Sequence, residues 1–295
     1  MVATALELPS PRQAPVQSQA MRTVRRLVRH RGAIVGAMLI LIVGLGAILA
    51  PLVAPYPPAD MGVGPSLGPP SAAHPFGTDT LGRDVLSRVL YGAQLSLSVG
   101  LVAVAIETVF GVILGLIAGY YGGWIDALMM RAIDILLAFP GILLALAIVS
   151  VLGISLTNLM IAVGVGGIPS FARLIRGSTL GVKENLYVTV ARSIGAADRA
   201  IIFRHILPNV ASPIIVYGTL RIAFAIIATS SLSFLGLGAK PPSPEWGVML
   251  SDGREFLRVA PWVTTFPGLA IMISVLGVNL LGDGLRDVLD PRLRV

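Results

Sequence analysis

Six long apolar segments constrain this sequence more than any other feature. They lie at about 32–54, 95–118, 127–152, 156–174, 213–237 and 262–285. A helix rises 1.5 Å per residue, so about 20 residues are enough to cross a hydrocarbon core of ~30 Å. The segments do not alternate in polarity, as the roughly ten-residue strands of a membrane barrel do. The sequence therefore predicts an all-α membrane protein with six transmembrane helices.

The charge content supports lipid as the main solvent. Only 13% of the 295 residues are charged, whereas a soluble domain carries about 25%. The first apolar segment follows a basic stretch, as in a secretory signal peptide, but it exceeds the roughly 7–15 residues of a signal core. We therefore predict a retained first transmembrane helix. The chain has no cysteine, which excludes disulfides and thiolate metal sites.

The distribution of positive charge predicts the orientation in the membrane. Sixteen of the 22 lysines and arginines fall on one side of the six segments: Arg12, Arg22, Arg25, Arg26, Arg29, Arg31, Arg131, Arg173, Arg176, Lys183, Arg192, Arg199, Arg204, Arg286, Arg292 and Arg294. Cytoplasmic loops carry the Lys/Arg excess, so both termini are predicted to be cytoplasmic. The net charge of +7 then reflects topology and gives no reason to expect nucleic acid as a partner.

The segments and loops predict a simple organisation along the chain. It comprises a basic cytoplasmic tail (1–31), a first transmembrane helix (32–54), an outer loop with an interfacial segment (55–93), a five-helix core (94–285) and a cytoplasmic C-terminal tail (286–295). In the interfacial segment, Asp79 with Arg83 and Asp84 with Arg88 are spaced for pairing on a helix face. Thr78 or Asp79 would suit a helix N-cap. We favour this structural interpretation over a metal-binding or catalytic carboxylate pair.

One polar stretch, TVARSIGAADRAIIFRHILP (189–208), interrupts the apolar segments on the cytoplasmic side. Its spacing predicts a short amphipathic helix broken near Gly195, with one face formed by Tyr187, Val190, Ala191, Ile194, Ala197, Asp198 and Ile201. Such a helix could lie on the membrane surface or dock a cytoplasmic protein. The small residues Ala191, Gly195, Ala196 and Ala197 favour docking, because they permit close approach of another protein.

This stretch resembles the EAA loop of permease subunits in ATP-binding-cassette (ABC) importers. Gly195, Leu207 and Pro208 match the motif, and Ala191 matches its last alanine. Thr189 stands where the family has a glutamate, which removes one charged contact to the ATPase. The resemblance implies that residues 186–202 form a cytoplasmic coupling helix. Its interface with the ATPase is expected to comprise Tyr187, Thr189, Ala191, Arg192, Gly195, Ala196, Asp198 and Arg199.

Three further blocks resemble dipeptide, oligopeptide and nickel permeases. They are HPFGTDTLGRDVLSRVLYGAQLSL (74–97), FLGLGAKPPSPEWGVML (234–250) and FPGLAIMISVLGVNLLGDGLRDVLDPRLR (266–294). The chain is most similar to the "C" subunits of that family. The resemblance implies a type I ABC-importer permease fold in the inner membrane of a prokaryote, and import of dipeptides or short oligopeptides, with nickel as the alternative. It also implies a homologous "B"-type permease subunit, two cytoplasmic ATPase subunits or domains that bind ATP and Mg²⁺, and an extracytoplasmic peptide-binding protein.

Polar residues inside the apolar segments are candidates for a substrate path, because they are costly in lipid and often functional. We name Glu107, Asn158 and Arg221 as such candidates. For each residue a structural role stays open: Glu107 and Arg221 as buried partners in the bundle, and Asn158, with Asn279, as an interhelical hydrogen-bonder. Asp134 is expected to form a local pair with Arg131 or a pair between helices.

The sequence gives no indication of catalysis or of a cofactor in this chain. It contains no G-x-x-x-x-G-K-[ST] loop for a nucleotide phosphate, and His30, His74 and His205 are not spaced as metal ligands. We find no nucleophile–base pair and expect a non-catalytic subunit. The rival class is a membrane-embedded enzyme or a self-sufficient channel. An enzyme would need clustered polar groups at one depth, and a channel would need no docking element.

Overall fold

A computed structural model describes residues 26–289, which form helices joined by loops, with no β-strand in that range. The N-terminal half contains α1 (Arg31–Ile48), α2 (Ala50–Val53), α3 (Val85–Tyr121), α4 (Gly123–Leu137), α5 (Gly141–Leu152) and α6 (Leu156–Lys183). The C-terminal half contains α7 (Leu186–Ser193), α8 (Asp198–Ile201), α9 (Leu207–Phe234), α10 (Trp246–Gly253) and α11 (Trp262–Leu289). A π-helical turn, Ile202–Ile206, joins α8 to α9.

Within the described range, five helical units are long and apolar enough to cross a membrane: α1, α3, α6, the continuous α8–α9 unit and α11. The pair α4 and α5 passes the same test together, although the two helices meet at 90°. Counting this pair as one broken span gives six. The predicted all-α membrane fold is confirmed, while one of the six helices differs in shape from the prediction.

The break between α4 and α5 corrects the prediction of one continuous helix over 127–152. Pro140 has no N–H to donate and adopts φ −54° and ψ 130°, outside the helical region. Proline also disfavours the helical conformation of the residue before it, Phe139. A proline inside a membrane helix can be tolerated when neighbouring groups satisfy the freed backbone. Pro169 of α6 behaves in that way, whereas Pro140 ends one helix and begins another.

Several helices extend beyond the apolar segments. Helix α3 begins at Val85, well before residue 95, because Asp84 caps it by accepting a 2.8 Å hydrogen bond from the backbone N–H of Ser87. Helix α6 continues past residue 174 to Lys183. The first segment, in contrast, is divided into α1 and the short α2 near Pro51. Helices therefore extend beyond the apolar segments through stretches that contain polar residues, such as the buried Arg88 of α3, and hydropathy alone does not detect these extensions.

Helices α3 and α6 pack closely through glycines on α3. A Cβ atom at Gly111 would lie 2.5 Å from Cβ of Phe171, and one at Gly115 would lie 2.6 Å from the carbonyl oxygen of Ala172. These glycines are four residues apart, so they share one face of α3. Without a hydrophobic driving force in lipid, small residues at such spacing let helix backbones approach and gain van der Waals contact. The α3–α6 pair is thus a rigid centre for the bundle.

The loop before α3 forms a buried ionic cluster that matches only part of the prediction. Arg83 Nε donates a 2.6 Å hydrogen bond to Asp79, as the spacing predicts. The predicted Asp84–Arg88 pair is wrong: Asp84 accepts from Ser87 and lies 3.0 Å from Nδ1 of His74, and Arg88 lies 3.5 Å from Asp79. The helix N-cap is likewise Asp84, and neither Thr78 nor Asp79 fills that role.

Candidate functional site

The interrupted stretch forms two short helices joined at Gly195. Helix α7 ends in a Schellman turn, in which the N–H of Gly195 bonds to the carbonyl of Arg192 and that of Ala196 to the carbonyl of Ala191. Gly195 has a φ of +80°, a conformation that side chains with a Cβ disfavour. A Cβ atom there would meet nothing within 4 Å. Among the described residues no neighbour would clash with a side chain at this position, so the backbone conformation alone is the reason that glycine is favoured there.

One side of this element is anchored to the bundle. Val188, Ala191 and Ile201 are buried in an apolar cluster with Tyr120 of α3 and Ile175 of α6. The Tyr120 hydroxyl donates a 2.6 Å hydrogen bond to Oδ1 of Asp198. The guanidinium of Arg192 lies 5.5 Å from the centre of the Tyr120 ring, within the range of a cation–π contact. Displacement of the element would therefore act directly on α3 and α6.

The opposite side of α7 exposes apolar side chains. Leu186 and Ile194 are each 79% exposed, and Tyr187 and Val190 are also exposed. We call these four residues the apolar docking face. Thr189, Arg192 and Arg199 are exposed around it. All four residues of the face belong to the predicted coupling element 186–202, although Leu186, Val190 and Ile194 were not among the predicted interface residues.

The predicted face of this element requires correction. Ala191 and Ile201 point into the bundle, whereas Tyr187, Val190 and Ile194 point away from it. The left-handed turn at Gly195 resets the helical phase, so the spacing in α7 does not continue into α8. Ala191 cannot contact a partner directly in this conformation, and Ala196 is partly buried against the apolar cluster. Asp198 is exposed, but its carboxylate is bonded to Tyr120.

Glu107 and Arg221 form a bidentate ion pair between α3 and α9. Arg221 Nε donates to Oε1 at 2.8 Å and Nη2 to Oε2 at 2.7 Å. The side chain of Glu107 is 1% exposed and that of Arg221 is 14% exposed. A Cβ atom at Gly167 of α6 would overlap with Oε2 of Glu107, so this glycine makes room for the carboxylate. The ion pair therefore depends on three helices.

A cavity of about 340 Å³ lies beside this pair. Its walls include the break between α4 and α5, at Phe139, Pro140 and Gly141, together with Phe224 of α9. The lining is mainly apolar, and its polar side chains are those of Arg221 and Ser170. A concave, mostly apolar pocket with a few polar groups is typical of a small-molecule site. Of the three residues predicted to line a substrate path, Arg221 lines this cavity, and Glu107 fixes the position of Arg221 through the ion pair.

Asn158 lies elsewhere, at the start of α6. Its side-chain amide donates hydrogen bonds of 2.8 and 2.9 Å to the carbonyls of Leu152 and Gly153, and it does not line the cavity. This residue links the end of α5 to α6. Asp134 of α4 pairs with Arg173 of α6 at 2.5 Å, which is the interhelical alternative. Among the described residues, no group of three or more His, Asp or Glu side chains could hold a metal ion.

The sequence matches two protein-family models. Residues 111–295 match the binding-protein-dependent transport system inner membrane component, and residues 18–70 match the N-terminal transmembrane domain of oligopeptide transport permease C. The first match covers most of the spans, the coupling element and the ion pair's Arg221. The second covers α1, α2 and the start of the loop that leads to α3.

Curated relatives align with nearly the whole chain. A dipeptide transport system permease protein of Alkalihalophilus pseudofirmus is 48% identical over 98% of this chain and 97% of its own length. A glutathione transport system permease protein of Pectobacterium atrosepticum is 46% identical over 97% of this chain and 96% of its length. The protein of that name in Escherichia coli O6:K15:H31 is 52% identical over 92% of this chain and 89% of its length.

The helical spans, the coupling element and these similarities define a multi-pass membrane component of a transport system. The chain belongs to the family of binding-protein-dependent transport system inner membrane components, the permease subunits of ABC importers. The resemblance drawn from four sequence blocks is thereby confirmed.

Proposed function

We propose that this chain is a permease subunit that carries dipeptides or short oligopeptides into the cell at the expense of ATP hydrolysed by other subunits. The observation that carries the coupling role is the two-sided element 186–202. Its apolar docking face is available to a soluble protein, while its other side is locked to α3 and α6 through Val188, Ile201 and the Tyr120–Asp198 hydrogen bond. The peptide substrate is supported by the full-length similarity to a dipeptide permease.

The mechanism is a transfer of motion between two states. Closure of the ATPase dimer pushes on the docking face, and the anchored side passes this displacement to α3 and α6. The helices then rock, so that the central path opens alternately to the outside and the inside. A partner can shift such an equilibrium only by making different contacts in the two states. The element is held to α3 and α6 by a packed apolar cluster, so its position changes when these helices move. The ATPase therefore makes different contacts with it in the two states.

The proposed assembly contains this chain and a homologous "B"-type permease subunit in the lipid bilayer of a prokaryotic inner membrane. Two cytoplasmic ATPase subunits or domains bind ATP and Mg²⁺ and dock at the element, at Tyr187, Thr189, Arg192, Gly195 and Arg199. An extracytoplasmic peptide-binding protein delivers the substrate to the outer loops. Both termini of this chain lie in the cytoplasm. The chain itself holds no cofactor, has no catalytic residue and binds no nucleic acid.

Glutathione is a second candidate substrate, favoured by the 46% and 52% identity to glutathione permeases. It is itself a short peptide, so it falls within the proposed class. Nickel is the weaker alternative within the family. An enzyme or a channel is the rival class, and neither explains an anchored element with an exposed apolar face.

The proposal is tested with the complete complex in proteoliposomes. Dialanine, glutathione and Ni²⁺ are supplied separately with the binding protein, and ATP hydrolysis and uptake are measured together. We expect a peptide to stimulate both, and expect no stimulation by Ni²⁺. Stimulation by Ni²⁺ alone, or solute flux that needs no ATPase subunit, would overturn the proposed function.

A further inference from the structure

We propose that Arg221 is a substrate-binding residue that recognises the C-terminal carboxylate of the transported peptide. This inference rests on the proposed function and assigns a specificity role to a side chain within the path. Three features of the site suit this role: the hydrogen-bonding capacity left on Arg221, the cavity beside it, and the negative charge of Glu107.

The first feature is that the guanidinium of Arg221 has N–H donors that Glu107 does not use. Arginine carries five N–H donors in a planar fork. Glu107 accepts one hydrogen bond from Nε and one from Nη2, and no residue of the described range accepts a hydrogen bond from Nη1. Glu107 therefore occupies one edge of the guanidinium. The second edge, formed by Nη1 and the remaining N–H of Nη2, has the geometry that binds a carboxylate through two parallel hydrogen bonds.

The second feature is the position of Arg221 on a cavity wall. The cavity has a volume of about 340 Å³, within the range of about 300–1,000 Å³ typical of small-molecule sites. Its polar lining side chains are Arg221 and Ser170, and the remainder is apolar or glycine. A short peptide matches this chemistry, because its α-carboxylate is ionised at neutral pH and its side chains can contact the apolar walls. The Phe224 ring, 4.4 Å from Cζ of Arg221, helps to orient the guanidinium.

The third feature is the neutralising carboxylate of Glu107. A transport site must bind strongly enough to admit a substrate and weakly enough to release it. An unpaired arginine in this position would hold an anionic group tightly. Glu107 balances the charge of Arg221 while leaving one edge of the guanidinium free, so the peptide carboxylate gains directional hydrogen bonds without the full attraction of an isolated cation. The ion pair thus allows the site to recognise the peptide carboxylate and still to release the peptide.

The experiment compares uptake of dialanine with uptake of dialanine amide by the reconstituted complex, with the binding protein saturated by either ligand. We expect the wild type to favour the free carboxylate by at least about tenfold, as for a charge-assisted hydrogen-bonded contact. In the double variant Arg221→Gln/Glu107→Gln, which leaves no unpaired buried charge, this ratio should fall at least fivefold. The control is an ion pair whose residues do not line the cavity, changed as Asp134→Asn/Arg173→Gln, which should keep the wild-type ratio.

A ratio that is unchanged in the double variant would overturn the inference, as expected if Arg221 instead pairs with an acidic residue of the partner permease. If the double variant does not assemble, Arg221→Lys retains the charge next to Glu107 but loses the second edge, and it must still lower the ratio. Wild-type complex that takes up neither compound, and does not take up glutathione either, contradicts the proposed function itself. Uptake of both compounds at equal rates contradicts only the carboxylate site.

Discussion

The hydroxyl of Tyr120 donates a 2.6 Å hydrogen bond to the carboxylate of Asp198, and so joins the end of α3 to the first residue of α8. Residues 78 positions apart in the chain are thereby held together at the boundary between the bundle and the coupling element. The ring of Tyr120 also packs in the apolar cluster and lies beside Arg192. This side chain is therefore a direct polar connection between the proposed ATPase contact and a helix of the bundle.

Replacement Tyr120→Phe should reduce the coupling of ATP hydrolysis to transport. The ring packing survives, but the hydrogen bond to a charged partner is lost, which is a contribution of about 1.5–3 kcal/mol. We expect the ATPase to copurify at the wild-type level, because the apolar docking face is intact, and expect fewer peptides to be transported per ATP. The neighbouring Tyr121→Phe is the matched control and should behave as the wild type. Equal transport per ATP in both variants would contradict a coupling role for the Tyr120–Asp198 bond.

Gly195→Val should weaken docking of the ATPase or uncouple it from transport. Gly195 has a φ of +80°, and nothing within 4 Å would clash with a Cβ, so the cost comes from the backbone conformation alone. That cost is about 1–2 kcal/mol for most residues and is smaller for asparagine, which tolerates this region. Gly195→Asn should therefore retain more copurification and uptake than Gly195→Val. If Gly195→Val retained more copurification and uptake than Gly195→Asn, this explanation would be wrong.

Gly167→Ala should destabilise the protein strongly, whereas Gly166→Ala should not. A Cβ at Gly167 overlaps with the carboxylate of Glu107 and separates it from Arg221, while a Cβ at Gly166 would only approach the carbonyl of Gly141 at 4.0 Å. Breaking a buried ion pair costs roughly 3–5 kcal/mol. The yield of folded complex, measured by size-exclusion chromatography in detergent, compares the two adjacent substitutions. Similar yields for both would show that the Glu107–Arg221 geometry does not limit stability.

The segment between α9 and α11, which is predicted to lie on the outer side, should show a pH dependence caused by Glu245, the N-cap of α10. Burial raises the pKa of this carboxyl, although hydrogen bonds from the backbone of Gly247 and Val248 oppose the rise. The folded protein then retains the proton at pH values where the unfolded chain has lost it. Stability from this group is full below the unfolded pKa of about 4.3 and declines as pH rises through the folded pKa.

Glu245→Gln removes this decline, so the variant should gain thermal stability relative to the wild type as pH rises from about 4. The unfolding temperature of the solubilised protein at several pH values tests the prediction. Glu255→Gln, at an exposed position of the same segment between α9 and α11, is the control. If the difference in unfolding temperature between wild type and Glu245→Gln does not change with pH, the assignment to Glu245 is incorrect.

The sequence predicted the helical membrane fold because apolar length is a local property. It also predicted the Asp79–Arg83 pair, whose members are four residues apart. The break at Pro140 was not predicted, because proline inside a membrane helix has two outcomes and the surrounding helices decide between them. Pro169 and Pro140 show both outcomes in one chain.

The candidate site was only partly predictable for a related reason. The cost of charge in lipid drew attention to Glu107 and Arg221, but their pairing spans 114 residues and depends on the packing of three helices. Gly167 was missed, since one glycine among 33 carries no distinguishing signal without its neighbours. The docking face was misassigned because one helical spacing was carried across the predicted break near Gly195. The positive φ of Gly195 changes the direction of the chain there, so residues of α7 and α8 that share this spacing do not share a face.

Cysteine cross-linking tests the docking face most directly, because the chain has no cysteine of its own. Single variants Ile194→Cys and Leu257→Cys place thiols at two exposed apolar positions, one on the docking face and one in the loop predicted to lie on the outer side. The complete complex is treated with a short bifunctional thiol–amine reagent, and the products are identified by mass spectrometry. The account predicts that Ile194→Cys forms a covalent product with the ATPase subunit and that Leu257→Cys forms none. A product between Leu257→Cys and the ATPase, or its absence from Ile194→Cys in an active complex, would contradict the account.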